Sequence, residues 1–327
     1  MKVTRISFNI FKGRIIDTHA HVGHLNNKVY RKEDLDIFVK EPLPNNDYVE
    51  KMIVSDLDVL HSLNKEYDGN KSLINALNSD KYLLLASCSP KDGNVNNIKK
   101  LFKENPGKFV GLKFHPSIQN LAVNRAEYNP YLDFGAKNNI PCLFHTEVLT
   151  DNTGKLIKET SISDPKSIYN LAKKYKKLPI VLAHLGAGWK EAHDKAIDVL
   201  VQSIKNQDAN LYADISWVDI DAKPHGNEKY NPKEHVVKAI KVLKGIGNPL
   251  WKYGDQSYRL MFGTDAPIDR FQLITNKNAV LDYTKFIEEI KHAIRSDIDL
   301  KSDAEKIIDD IFYNNAKKLY AVCKVVK

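Results

Sequence analysis

Cysteine is scarce in this chain. Its three cysteines, Cys88, Cys142 and Cys323, are widely spaced and odd in number. That argues against a disulfide framework or a cysteine-based metal site. Cys88 and Cys142 fall in apolar runs that read as strands, so they are expected to be buried, reduced thiols. Long apolar runs are missing too. No stretch approaches the ~18–20 residues of a membrane span. The start, Met1-Lys2-Val3-Thr4-Arg5, carries charge but no apolar run and no small-residue cleavage site. No membrane partner is expected, and the cytoplasm is the default compartment. No glycine-rich nucleotide fingerprint follows a first strand and no P-loop occurs, so Gly186 and Gly188 read as permitting a turn rather than cradling phosphate. A basic stripe interleaved with aromatics is absent as well. The formal net charge of +8 comes from scattered lysines and short runs such as Lys173-Lys174-Tyr175-Lys176-Lys177, which read as the solvated end of a helix. Nucleic acid is therefore not expected as a partner, and attraction of an anionic small-molecule substrate is the more economical use of the charge.

What is present is a chain of 327 residues, 43% hydrophobic and 28% charged, the composition of a globular protein with a sizeable core. Continuous apolar runs appear at Ile15-Ile16, Met52–Ser55, Tyr82–Cys88, Phe109–His115, Pro141–His145, Pro179–His184, Asn210–Ser216 and Arg259–Asp265. Between them lie helical patterns at Asn70–Ser79, Val95–Phe102, Tyr131–Lys137, Asp164 to Tyr175 (Asp164 as N-cap, Pro165 at the first helical position), Glu191–Ile204, Lys233–Leu243, Tyr283–Ile294 and Asp303–Tyr320. Eight strands alternating with helices over this length predict an α/β protein, a (β/α)₈ TIM barrel. With no internal repeat or linker, residues 1–327 read as one domain. The segment from His24 to Asn46 reads as polar and irregular, broken by Glu41-Pro42-Leu43-Pro44, and as an insertion over the mouth of the pocket that helps set specificity.

In such a barrel chemistry gathers at the C-terminal ends of the strands. His19 and His21 end the first, Lys113 and His115 the fourth, His145 the fifth, His184 the sixth and Asp265 the eighth. Alone, His-x-His reads equally as two hydrogen-bonded histidines or as a pair facing one ion, since i and i+2 share a strand face. Polar groups recurring at strand ends tip the reading toward an ion. Three neutral imidazoles and a carboxylate suit Zn²⁺ or another borderline divalent cation.

The pieces Ile-Ile-Asp-Thr-His-Ala-His at 15–21, Gly-Leu-Lys-Phe-His-Pro at 111–116, Phe-His-Thr-Glu at 144–147, Leu-Ala-His-Leu-Gly at 182–186 and Phe-Gly-Thr-Asp-Ala-Pro at 262–267 occur in that order. The set resembles the amidohydrolase superfamily, in particular the TIM-barrel metal-dependent hydrolases that include aminocarboxymuconate semialdehyde decarboxylase. The similarity runs from Ile15 to Tyr320, and Asn314–Tyr320 is similar to that group's closing helix. The resemblance implies His19, His21, His145 and Asp265 as metal ligands. It implies His184 as ligand of a second metal or as acid/base toward the substrate, and Lys113 as a lysine that bridges two metals when carboxylated or faces substrate as an amine.

The activity expected is that of a metal-dependent hydrolase. A divalent ion, zinc first, would activate water for attack on a C–N or C–O bond of a small polar, carboxylated substrate. One ion is favoured, two if Lys113 is carboxylated. Asp265 and His184 are the expected catalytic groups, Asp265 taking the water's proton and His184 polarising the carbonyl or protonating the leaving group. A metal-dependent non-oxidative decarboxylase is the rival reading, a catalytically silent binding barrel a lesser one, and a homodimer is allowed. Asp17 reads as a strand-end acceptor before a partner behind the metal ligands, Asp214 as a buried carboxylate supporting the barrel before one reaching the pocket, and Trp189 and Trp217 as rim or core aromatics before pocket-wall residues. His115 divides between substrate contact and packing, and Glu147 between support of the pocket and an exposed loop. His24, His61, His193, His225, His235 and His292 read as surface or packing residues.

Overall fold

The computed structural model describes residues 13–25, 28–147, 162–186, 190–216, 232–245, 259–266 and 277–320. Cys323, Gly188, Trp189, Trp217 and His225 lie outside them, and Cys88 and Cys142 are buried free thiols. Among the described residues nine strands form one sheet: β1 (Gly13–Leu25), β2 (Lys28–Tyr30), β3 (Asp47–Asp56), β4 (Tyr82–Ser87), β5 (Phe109–Phe114), β6 (Cys142–Phe144), β7 (Pro179–Leu182), β8 (Asn210–Asp214) and β9 (Leu260–Met261), in the order β2-β1-β3-β4-β5-β6-β7-β8-β9. All pair in parallel except β2, which turns back antiparallel along the end of β1. The sheet then closes. Thr18 N–H donates to Phe262 O at 3.0 Å, Asp265 N–H to His19 O at 2.8 Å and His21 N–H to Ala266 O at 2.7 Å, with a parallel bridge between Ala20 and Ala266. Eight parallel strands joined to themselves make the expected barrel.

The strands are apolar on both faces because both faces are covered. Ile16, Ile53, Leu85, Leu143, Val181 and Met261 form an inner cluster, and the closing helix lays Tyr313, Ala316, Leu319 and Tyr320 against it. The opposite faces meet the helical layer. In the helix Val95–Glu104, Ile98, Leu101 and Phe102 form the buried stripe, and Asn94 caps its start by accepting from Asn96 N–H at 2.9 Å. Asp164 caps the helix Pro165–Ala172 in the same way, accepting from Lys166 N–H at 2.7 Å. Among the described residues no helix is long and apolar enough to cross a membrane.

Two elements differ from expectation. The segment after β1 is not an irregular insertion. It holds β2 and a helix, Lys32–Val39, that buries Leu35, Phe38 and Val39 in the main core. Those positions have helical spacing, Asp34 accepts from Arg31 N–H at 2.7 Å to start the helix, and the helix stops just before Pro42. It forms the barrel's first crossover, returning the chain to the start of β3. The second difference is in the last helix, where a π-helical stretch, Asp310–Asn314, interrupts the α-helical turns. The wider turn accompanies an Ile311 carbonyl that accepts from Phe262 N–H at 2.8 Å, while Asn315 Nδ2 donates to Leu260 O at 2.8 Å. The shortest strand of the barrel is thus secured by side chain and backbone of the closing helix.

Lys291, on the helix Lys277–Ser296, reaches Asp47 at the start of β3 with Nζ 2.6 Å from Oδ2, both residues buried. Breaking a buried pair leaves one charge uncompensated, so Lys291→Ala is expected to cost about 3–5 kcal/mol. An unchanged urea midpoint would refute this. Asp56 behaves in the opposite sense. Burial pushes its carboxyl up from 3.8 to about 6, and the Val59 N–H it caps only partly offsets that. Between those pH values the folded chain binds more protons than the unfolded chain, so this group lowers stability as pH rises through the window. Asp56→Asn, which can still cap, should gain on the wild type by up to about 3 kcal/mol between pH 3.5 and pH 7. Parallel denaturant curves at the two pH values check it.

Candidate metal centre

The closure of β9 onto β1 builds the site. His19 and His21 share one face of β1, which continues past them to Leu25 because Val22 still pairs with β3 and Gly23–Leu25 with β2. Gly263 lets the two backbones approach, since a Cβ there would stand 3.0 Å from His19 Cβ. Asp265 follows in the left-handed region, φ 63°, which turns its carboxylate back over the imidazoles. His19 Nε2 and His21 Nε2 are 3.1 Å apart, and Asp265 Oδ1 lies 3.2 Å and 3.0 Å from them. Three potential ligand atoms converge on one point, and all three residues are buried.

The far side of each ring is anchored. His19 Nδ1 is 3.0 Å from Asp214 Oδ2 and 3.0 Å from Ser216 Oγ, and His21 Nδ1 is 2.8 Å from Ser55 Oγ. Oxygens behind the rings aim Nε2 inward, the usual support of a metal-binding histidine. Behind β1, Asp17 ties the same corner. Its carboxylate accepts from Thr264 Oγ1 at 2.6 Å, Tyr283 OH at 3.1 Å, Thr264 N–H at 3.1 Å and His19 N–H at 3.2 Å. Burial raises its pKa to about 7 against the pull of those donors.

A second pair of rings stands beside the first group. His184 stacks on His19 with centroids 4.8 Å apart, and its Nε2 lies 3.0 Å from His145 Nδ1. His184 Nδ1 is held 2.9 Å from Ser216 Oγ, and His145 Nε2 lies 3.3 Å from Glu147 Oε2. The two facing nitrogens stand at hydrogen-bond distance, so one of them carries the hydrogen that the other accepts. His184 adopts φ 62°, and Gly186 follows at φ 104°, where a Cβ would strike Ala192 O at 2.2 Å. That glycine permits the turn, as its sequence context indicates.

Electrostatics suit metal binding. Burial lowers His21 to about 4 and holds His184 well below the ordinary imidazole value, with His145 also lowered, so these rings are neutral at pH 7. Burial opposes the charge on Asp265, but His19 and His21 outweigh it and keep the carboxylate ionised. Lys113 is fully buried with Nζ 2.7 Å from His19 Nε2. Desolvation draws its pKa down to about 8 against the attraction of Asp265 and Asp214.

The structure thus brings His19, His21, Asp265 and Lys113 together and sets His145 and His184 against them as a pair, with His145 outside the three-atom cluster. His115 stacks on His145 with centroids 3.8 Å apart and caps the short helix Pro116–Gln119 through Nδ1. Glu147 supports His145, and Asp214 reaches the site itself. His24 is exposed and His193 buried. Ser55 and Ser216 escaped the sequence reading. Ser216 had a signal, since it lies two positions beyond Asp214 and so shares its strand face.

A (β/α)₈ barrel with imidazoles and a carboxylate gathered at the C-terminal ends of its strands defines a class, and the sequence assigns the family. The amidohydrolase family profile matches residues 102–322, and the chain belongs to that family of enzymes. Among curated proteins none matches significantly. Solved structures share the fold. An amidohydrolase from Burkholderia multivorans with bound zinc has 12% identity and a TM-score of 0.59, covering 94% of this chain and 99% of that one. An uncharacterised TIM-barrel protein from Bordetella bronchiseptica has 15% identity and a TM-score of 0.56, covering 95% and 99%. The 5-carboxyvanillate decarboxylase from Novosphingobium aromaticivorans, complexed with manganese and 4-hydroxy-3-methoxy-5-nitrobenzoic acid, has 12% identity and a TM-score of 0.55, covering 96% and 97%.

Proposed function

We propose that this chain is a metal-dependent hydrolase acting on a C–N or C–O bond of a small carboxylated substrate. The observation that carries the reading is the convergence of His19 Nε2, His21 Nε2 and Asp265 Oδ1 within 3.2 Å of one another, with both histidines anchored from behind. Two neutral imidazoles and a carboxylate fit one borderline divalent ion, zinc first and manganese second. The zinc and manganese in the two solved structures above support that choice. Bound there, such an ion supplies Lewis acidity toward a carbonyl or carboxylate oxygen and acidifies water.

The chain's own groups do the rest. Asp265, ionised and facing the site, holds a proton taken from water at its Oδ atoms. His184, neutral and turned inward, donates a hydrogen bond or a proton to the leaving group once charged. Lys113 meets the negative charge of a carboxylated substrate, and the buried walls exclude bulk water, which strengthens this contact. If Lys113 carries a carboxylate, a second ion is expected between it, His145 and His184.

Decarboxylation is the second reading, favoured by the manganese-containing 5-carboxyvanillate decarboxylase that shares this fold. Product analysis over a panel of small carboxylated amides, lactones and aromatic acids separates the two. Release of CO₂ points to the lyase, and a freed amine, alcohol or opened ring to the hydrolase.

Metal-free protein titrated with Zn²⁺ is expected to take up one tight equivalent, and His19→Ala to lose it. Absence of uptake by the wild type would remove the metal reading and leave a binding barrel. Asp265→Asn is expected to lower turnover by ~10²–10³-fold or more while the far-UV circular dichroism is unchanged. Turnover within threefold of wild type would exclude the role given to Asp265.

A further inference from the structure

Ser216 occupies the point where the two halves of the site meet. It is fully buried, with Oγ 3.0 Å from His19 Nδ1 and 2.9 Å from His184 Nδ1, and it is also hydrogen-bonded to Asp214 Oδ1. A hydroxyl has one hydrogen to donate and two lone pairs with which to accept. Asp214 Oδ1 already accepts the backbone N–H of His184 at 2.9 Å and of Ser216 at 3.1 Å, so it faces the serine as an acceptor. The single Ser216 hydrogen therefore goes to Asp214. Toward the two rings Ser216 is left with lone pairs only, and each ring must present N–H at Nδ1.

The opposite edge of His19 agrees. His19 Nε2 lies 2.7 Å from the hydrogen-bearing Nζ of Lys113 and accepts from it. With its hydrogen at Nδ1, His184 Nε2 accepts from His145 Nδ1 across 3.0 Å. We propose that Ser216 is a positioning residue that locks His19 and His184 in the same Nδ1–H tautomer, so that one hydroxyl sets both the cation site and the ring beside it. The two rings are not equally dependent on it. His19 keeps Asp214 Oδ2 at 3.0 Å when the hydroxyl is removed, whereas His184 Nδ1 loses the Ser216 oxygen 2.9 Å away.

The tautomer claim stands without the metal reading, and only the second measurement below rests on that reading. Long-range ¹H–¹⁵N correlation spectra of metal-free protein labelled with [¹⁵N]histidine report the protonated nitrogen of each ring, with His19→Gln and His184→Gln spectra supplying the assignments. Wild type is expected to show Nδ1–H at both His19 and His184. Ser216→Ala is expected to move His184 to the Nε2–H form or a mixture and to leave His21, held by Ser55, unmoved. Ser216→Thr, which keeps the hydroxyl, is expected to restore the wild-type pattern. In a Zn²⁺ titration Ser216→Ala is expected to weaken binding by up to ~10-fold, because Asp214 still holds His19, and Ser216→Thr to recover it.

Unchanged tautomers at both rings in folded Ser216→Ala would overturn the proposal, as would an Nε2–H form of either ring in the wild type. Should Ser216→Ala fail to fold, Ser216→Cys, of nearly the same size but a poor acceptor, is read by the same criteria. A wild type that binds no Zn²⁺ yet shows both Nδ1–H tautomers removes the metal reading and leaves the positioning role intact.

Discussion

Everything in the site depends on one seam, the hydrogen bonds by which the end of β9 joins β1. Thr18, His19 and His21 exchange backbone hydrogen bonds with Phe262, Asp265 and Ala266, and this closes the sheet into a barrel. Without the seam the sheet would be open, and Asp265 would have no reason to stand beside two histidines from the other end of the chain. Closure is reinforced where it is weakest. β9 has two residues in ladder pairing, and its edges are held by Ile311 and Asn315 of the closing helix and by the Asp17 carboxylate, which gathers Thr264 and Tyr283.

That arrangement makes an unusual density of buried polar groups tolerable. Asp17, Lys113, Asp214, Asp265 and the histidines His19, His21 and His184 sit buried at one end of the barrel, and each charged group taken from water needs a partner there. The structure supplies them in a chain that runs from Asp214 and Ser216 through His19 to Lys113 and Asp265, and through His184 to His145 and Glu147. Fully connected networks of this kind hold side chains rigidly, which is what a site that must present several lone pairs to one ion requires. The left-handed backbone at His184 and Asp265 belongs to the same design. Strained conformations persist where the surroundings over-determine them, and here barrel closure and hydrogen bonding do so.

Much of this was legible before any coordinates. His19-x-His21, Lys113, His145, His184 and Asp265 were placed at strand ends because apolar runs of strand length stop at each of them, and a barrel brings strand ends to one rim. The helix Lys32–Val39 was not legible, because a polar surface face and the nearby Pro42 and Pro44 masked the spacing of Leu35, Phe38 and Val39. The partnership of His145 with His184, apart from the trio, was hidden for a different reason. Which ring faces which depends on strand register and on the turn at His184, and neither is written in the order of residues.

The sequence by itself determined the alternation of strands and helices, the family and the residue types available for chemistry, since hydrophobic period and residue identity are local properties. Only the tertiary structure decided which nitrogen of each ring looks inward. That choice rests on Ser55, Asp214, Ser216 and Glu147, whose oxygens come from other strands or strand ends, and the orientation of an imidazole is set by the partner it finds across the barrel.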